Sequence, residues 1–306
     1  APVRGALRLV SGPGSGKTFV QEHRYAFLVE NGVDPSGILA VVFNRRNADE
    51  FQERVRTICP QIAGTEAERW ITTIHAACYG IFRDEHDDAF PGSNRYEVVH
   101  ETQWLKQHKF SIKSFIQEEA EDLWPNPDNR PGWKEVWEII HASKMAGLPP
   151  AETGEWFNEG LGVYHGEKVY RIYTRLWGRM KALRLLTFAD MLLLIDVQLR
   201  RDSSFRARWQ AKFTHVLVDE AQDVSEQAMR ILTTLASPQD NFFAVGDQDQ
   251  LLYRFTGATP EANLMGGFEA RYPNGATVFM GVNYRSENSL VIDMAGRLIA
   301  YNYADA

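Results

Sequence analysis

The residues Ser11-Gly12-Pro13-Gly14-Ser15-Gly16-Lys17-Thr18 follow directly on the apolar run Ala6–Val10. Glycine at every second position lets the backbone curl so that its N–H groups converge on an anion. A helix starting near Lys17 adds the positive end of its dipole. The Lys17 ammonium is then placed for β- and γ-phosphates and the Thr18 hydroxyl for Mg2+, with Gly12, Pro13, Gly14, Ser15, Gly16 and Phe19 completing the cradle. Ser11 stands where the general pattern begins with glycine, and it is small enough to act as a variant. The competing reading is a glycine-rich turn without a ligand, and Lys-Thr after a strand speaks against it. The chemistry expected is binding of a nucleoside triphosphate with transfer of its terminal phosphoryl group.

Such a loop needs an acid at the end of a neighbouring strand, and Val216-Leu217-Val218-Asp219-Glu220 supplies two. Asp219 is expected to hold Mg2+ through its water shell, and Glu220 to orient the attacking water as general base. A second apolar strand ends in Gly246-Asp247-Gln248-Asp249-Gln250, where a polar side chain can sense the γ-phosphate. One acidic strand end alone reads equally well as a helix N-cap. Two of them beside a phosphate loop make the functional reading the stronger.

These residues require elements that alternate. The pattern predicts strands at Ala6–Val10, Ile38–Phe43, Arg69–Thr72, His215–Val218, Phe242–Val245 and Ala276–Met280. Helices are expected at Lys17–Glu30, Asn44–Thr57, from Thr72 through Phe82, and at Phe188–Arg200, Glu226–Leu235 and Ser286–Tyr301. The fold class is α/β: a parallel sheet with helices on both faces. From 84 to 185 strand-like runs are few, and six of the eight tryptophans fall there (Trp104, Trp124, Trp133, Trp137, Trp156 and Trp177). That stretch reads as a helical insertion whose core is built from the tryptophans, so the domains expected are 1–83 with 186–306, and 84–185. On a helix, Arg171, Arg175 and Arg179 form a cationic stripe, either a solvated face or a phosphate contact.

Bulk properties narrow the class. The 306 residues carry a net charge of −7, which argues against a wholly basic nucleic-acid coat but leaves room for a local basic track. No apolar run approaches the length of a membrane span, and no charged-then-apolar segment is read near the first strand, so a secretory signal is not expected. The two cysteines, Cys59 and Cys78, are too few for a disulfide scaffold or a zinc site and read as buried small hydrophobes. The compartment expected is the cytoplasm.

The motifs taken in order resemble the UvrD/Rep/PcrA group of superfamily 1 helicases. Ser11–Thr18 resembles the group's first motif. Ile38–Phe43 with Ala48, Glu50 and Arg54-Val55 resembles the next, and Thr73-Ile74-His75-Ala76 a third. Val218-Asp219-Glu220-Ala221-Gln222-Asp223 is similar to the Asp-Glu-x-Gln-Asp motif. Val245–Gln250 with Tyr253, Phe255, Gly257 and Ala258 resembles the next, and Asn283-Tyr284-Arg285-Ser286 the fourth. Lys144–Pro150 resembles a segment of the group's 1B subdomain, and Leu186–Leu192 the stretch that closes it.

The resemblance implies a RecA-like 1A core split by 1B, with ATP and Mg2+ as ligands and single-stranded DNA as the track. It implies that Gln250 contacts the γ-phosphate, that Tyr284 stacks on adenine, and that Arg285 neutralises charge on the transferred phosphoryl group. Phe43, Tyr253 and Phe255 become stacking platforms, Asn44 and Arg45 backbone contacts, and His75 a neighbour of the track. Core packing is an equal reading for Phe43. RNA suits stacking platforms as well as DNA does. Thr256 replaces a frequent arginine, and Asn44-Arg45-Arg46 replaces Thr-Asn-Lys. A second RecA-like domain is expected beyond residue 306 or on a partner chain, and without it slow hydrolysis is expected. A small-molecule kinase and a non-catalytic scaffold are the other classes. The first would not need Gln222, Gln250 and Tyr284-Arg285, and the second would not need Lys17, Asp219 and Glu220 intact.

Overall fold

The computed structural model describes residues 3–12, 14–247 and 264–284. Strands covered on both faces carry unbroken apolar runs. In the main sheet, β2 (Ile38–Val41), β6 (His215–Val218) and β7 (Phe242–Gly246) are buried along their whole length. With β1 (Leu7–Ser11), β3 (Ile71–Thr72) and β8 (Ala276–Met280) they form a six-stranded sheet in the order β3-β2-β6-β7-β1-β8. Each neighbouring pair runs parallel, with Leu7 opposite both Phe243 and Ala276, and Val218 opposite both Val41 and Ala244. The carboxyl ends of these strands therefore all open on one edge, where an α/β sheet places its ligands. The α/β expectation holds, strand by strand.

Parallel neighbours need crossovers, and helices supply them. α1 (Lys17–Glu30) follows β1, α2 (Arg45–Ile58) follows β2, and the short α3 (Glu66–Arg69) leads into β3. Tyr25 and Leu28 of α1 pack with Phe51 and Val55 of α2 against Leu9, Ala40 and Val245 of the sheet. α4 (Ile74–Asp84) leaves β3, and the chain then enters the insertion.

The chain forms two compact units, 1–77 with 206–306, and 78–205. The sequence reading placed these boundaries at 83/84 and 185/186. Most of α4 and a helix at Phe188–Arg201 group with the insertion instead: Phe82 of α4 meets Phe90 and Tyr96, and the second helix packs on the helix at Trp133–Met145. That unit contains β4 (Glu97–Val98), α5 (Ile112–Leu123), α6 (Trp133–Met145), α7 (Gly154–Leu161), α8 (Val163–Leu183), β5 (Leu185–Leu186) and α9 (Phe188–Arg201). β4 and β5 pair in parallel as a separate ribbon. α10 (Ser203–Lys212) returns the chain to the first unit, which continues with β6, α11 (Glu226–Ala236), β7, α12 (Leu264–Arg271) and β8. The helix expected over Ser286–Tyr301 lies outside the described residues.

The insertion's core is only partly the tryptophan core expected. Trp124 and Trp137 are buried beside Ile140, Phe157, Ile172 and Tyr173, and Trp133 and Trp177 pack against them. Trp104 and Trp156 are 55% and 38% exposed, so these two stand outside it. Both cysteines are buried free thiols.

At the centre of this unit lies an ion pair. Lys144 Nζ, on α6, is 2.6 Å from Asp190 Oδ1, on α9, and both residues are 1% exposed. The ammonium also sits over the rings of Trp137 and Tyr173, at 4.7 and 5.6 Å from their centroids. Asp190 Oδ2 accepts from the Thr187 N–H and hydroxyl, while Thr187 Oγ1 accepts from the Asp190 N–H, a capping box that starts α9. Truncating one partner strands the other charge in an apolar core. Lys144→Ala is therefore expected to destabilise this unit by about 3–5 kcal/mol. The shift of its urea unfolding transition measures this, and a loss below about 1 kcal/mol would contradict it.

Candidate nucleotide and nucleic-acid site

The loop after β1 turns as its glycines require. Gly14 and Gly16 have φ of 72° and 89°, in the left-handed region where a Cβ is strained. The Ser15 hydroxyl donates to Gly12 O at 2.7 Å and closes the turn. Gly16 is the N-cap of α1 and offers no side-chain cap, and the first turn of α1 carries no acid. The first N–H groups of a fourteen-residue helix thus face the loop without a capping side chain. The Ser11 hydroxyl is buried and has no hydrogen-bond partner among the described residues.

β6 lies two strands from β1 in the sheet, and its end delivers the acids. The Asp219 N–H donates to Val41 O at 2.9 Å, continuing the ladder, and its side chain is buried. Burial first, and then the neighbouring Glu220 charge, push the Asp219 carboxyl up to about 7, while the Glu220 N–H and Lys17 pull the other way. Glu220 takes φ 44° and ψ 50°, a left-handed conformation uncommon for a residue with a side chain. Asp219 Oδ1 accepts from the Glu220 N–H at 3.0 Å and supports that turn. Glu220 Oε2 stands 3.8 Å from Lys17 Nζ, so the β6 acids and the phosphate-loop lysine share one site.

The end of β8 also joins the site. The Tyr284 N–H donates to Gly14 O at 2.8 Å, and the ring is 75% exposed. This ties the Asn283-Tyr284 segment to the phosphate loop by its backbone. The residue types suggested only the ring.

Residues 1–268 match the UvrD/REP helicase N-terminal domain. The chain belongs to this helicase family. The ATP-dependent DNA helicase PcrA of Staphylococcus aureus is 29% identical over 301 residues, 97% of this chain and 38% of the relative. The proteins of the same name from Bacillus subtilis and Leuconostoc citreum are 31% and 28% identical over 94% and 97% of this chain, and 36% and 37% of their own lengths. The chain thus spans a little over a third of the length of these relatives.

Of the nucleotide residues read from the sequence, Gly12, Gly14, Ser15, Gly16, Lys17, Thr18, Asp219 and Glu220 lie on the carboxyl edge of the sheet, as does Tyr284, which the resemblance implied. Thr18 and Phe19 are exposed on the first turn of α1, where the Phe19 ring rests 3.9 Å from that of His23. Pro13, Gln250 and Arg285 lie outside the described residues, as do Tyr253 and Phe255. Of the nucleic-acid candidates, Phe43 is 38% exposed just past β2. Asn44 accepts from the Asn47 N–H at 2.9 Å, so its side chain serves as the N-cap of α2. Arg45 is exposed beside it, and His75 is half-buried at the start of α4. Burial holds the His75 ring below the usual imidazole value.

No transmembrane candidate occurs among the described helices, none being long and apolar enough. The described residues also hold no cluster of three or more histidine, cysteine or acidic side chains placed for a metal. Mg2+ held with a nucleotide needs only one or two carboxylates, and Asp219 with the Thr18 hydroxyl fits that donor set. The sequence site omitted Gln222, which is 1% exposed and hydrogen-bonded to Glu220. Its place in the Asp-Glu-x-Gln-Asp motif was the available signal.

The raised Asp219 carboxyl makes stability depend on pH. The folded protein keeps a proton there that the unfolded chain loses above its ordinary value of 3.8. Stability from this group is full below that value and falls as pH rises through about 7. Asp219→Asn removes the fall. The nucleotide-free variant is expected to exceed wild type at pH 8 by about 1–4 kcal/mol and to match it near pH 4. Urea unfolding at the two pH values tests this, and equal stability at pH 8 would contradict it.

Proposed function

We propose that this chain is the ATP-binding and hydrolysing part of a DNA helicase motor. In this reading hydrolysis drives 3′-to-5′ movement along single-stranded DNA and separation of the duplex, in repair, recombination or replication. The observation that carries it is the meeting of Lys17, Asp219 and Glu220 on one sheet edge, in a chain of the UvrD/Rep family. Direction and pathway rest on the family resemblance. The unit 1–77 with 206–306 takes the role of 1A, and the inserted unit that of 1B. A second motor domain, from the rest of a longer protein or from a partner, completes the machine, because translocation needs two bodies that close and reopen.

The residues divide the work. The loop N–H groups and the α1 N-terminus bind the phosphates, and Lys17 neutralises the terminal ones. Thr18 and Asp219 hold Mg2+, which when bound spreads the negative charge of the triphosphate. Burial makes Asp219 a costly isolated anion, so a cation beside it favours its ionised form. Glu220 orients water and takes its proton. Tyr284 offers an exposed face at the loop for adenine, and Gln250 and Arg285 act on the γ-phosphate. Phe43, Tyr253 and Phe255 stack on bases without reading sequence, and Arg45 meets the backbone.

ATP hydrolysis with and without oligo-dT tests this reading. Stimulated turnover is expected in the intact protein, falling by at least about 100-fold in Lys17→Ala and in Glu220→Gln. Turnover indifferent to both changes would overturn it. Phosphate transfer to a small-molecule acceptor would turn it toward a kinase, and stimulation by oligo-U alone toward RNA.

A further inference from the structure

Gln222 lies in the turn after β6, a short 3-10 segment from Ala221 to Asp223. Its side chain spans two strand ends. The carbonyl oxygen accepts from the Asp247 N–H at 3.1 Å, just past β7. The amide nitrogen donates to Glu220 Oε2 at 2.9 Å, with Asp223 Oδ2 at 3.5 Å. The chemistry fixes this orientation. A backbone N–H can only donate, so it must face the amide oxygen, which turns the –NH2 toward carboxylates that can only accept when ionised. Gln222 and Asp247 are 1% and 4% exposed, so water does not compete freely for these groups.

Glu220 needs such a restraint. Its backbone is left-handed, its side chain is 30% exposed, and Lys17 Nζ at 3.8 Å attracts its carboxylate. A general base must hold its oxygen where water waits, and a displacement of about 1 Å can cost two orders of magnitude in rate. On the ATPase reading Lys17 turns to the phosphates, so it cannot also serve as that anchor. The Gln222 amide can, because its other end is fixed to a neighbouring strand of the sheet.

We propose that Gln222 is the positioning residue of the general base, holding the Glu220 carboxylate by its amide and registering it to the end of β7 through the Asp247 N–H. The inference rests on the reading of this site as an ATPase. Gln222 touches neither phosphate nor water in this role and acts only through Glu220.

The test measures single-turnover ATP hydrolysis and Mg-ATP affinity in the intact protein. Gln222→Met keeps the length and removes both hydrogen bonds. It is expected to lower the rate by at least about 10-fold while changing Mg-ATP affinity by less than about twofold. In a Glu220→Gln background the same change is expected to lower the residual rate no further, since a residue acting through a base has no effect once the base is gone. Gln222→Glu, which keeps an acceptor for the Asp247 N–H but sets an oxygen against Glu220, is the second variant and is expected to lose the same activity. The exchange Glu220→Gln with Gln222→Glu restores an amide facing a carboxylate. It is expected to unfold at the wild-type midpoint yet hydrolyse no faster than Glu220→Gln. Equal losses in the wild-type and Glu220→Gln backgrounds, a parallel loss of affinity, or an unchanged rate would overturn the proposal. Wild-type turnover that depends on Glu220 but not on Gln222 defeats this inference alone. Turnover independent of Glu220 defeats the ATPase reading and this inference with it.

Discussion

All-parallel pairing is the constraint on which the rest depends. Because each neighbouring pair in β3-β2-β6-β7-β1-β8 runs the same way, every strand ends on one edge. Phe43 follows β2, Asp219 and Glu220 follow β6, Asp247 follows β7, the phosphate loop follows β1, and Tyr284 follows β8. Residues hundreds of positions apart become neighbours without any long-range design beyond strand order. Reversing one strand would move its terminal side chains to the far end of the sheet.

The same edge concentrates charge where water is scarce. A buried Asp219, an adjacent Glu220 and a largely buried Lys17 make an arrangement that is electrostatically incomplete. Burial pushes Asp219 toward its neutral form, and Lys17 has a carboxylate at 3.8 Å. Supplying a polyanion to the lysine and helix N-terminus, and a cation to the aspartate, relieves both conditions together. On the proposed reading, a magnesium-complexed phosphate meets both needs where either ion alone meets one. The left-handed backbone at Glu220 stands on the same edge, and strain of this kind persists where neighbouring bonds enforce it.

The sequence was most legible where one physical signal dominated. The runs at Ile38, His215 and Phe242 read as buried strands because parallel strands are apolar on both faces. Lys17–Glu30 read correctly because the glycine loop marks its start. The insertion was harder. Tryptophan count suggested its core, but Trp104 and Trp156 point to solvent, since composition does not tell which face a residue occupies. α10 went unread although Phe205, Trp209 and Phe213 recur at helical spacing. α9 groups with the insertion, where it packs on α6 and Asp190 joins Lys144, a contact no local pattern encodes. At the site, residue types gave Lys17, Asp219 and Glu220, whereas the Tyr284–Gly14 backbone bond and the Gln222 bridge depend on tertiary placement. Asn44 shows the converse: a polar residue near a strand end that a helix cap accounts for.

On the proposed reading, the loop after β1 and the acids after β6 form one site for magnesium-complexed ATP. Calorimetric titration of ATP into the protein, with Mg2+ and then with EDTA, tests it most directly when repeated with Lys17→Ala. One binding site is expected, weakened at least about tenfold without Mg2+ and lost in the variant. Binding of equal strength in Lys17→Ala would place the nucleotide elsewhere and rule out this shared site.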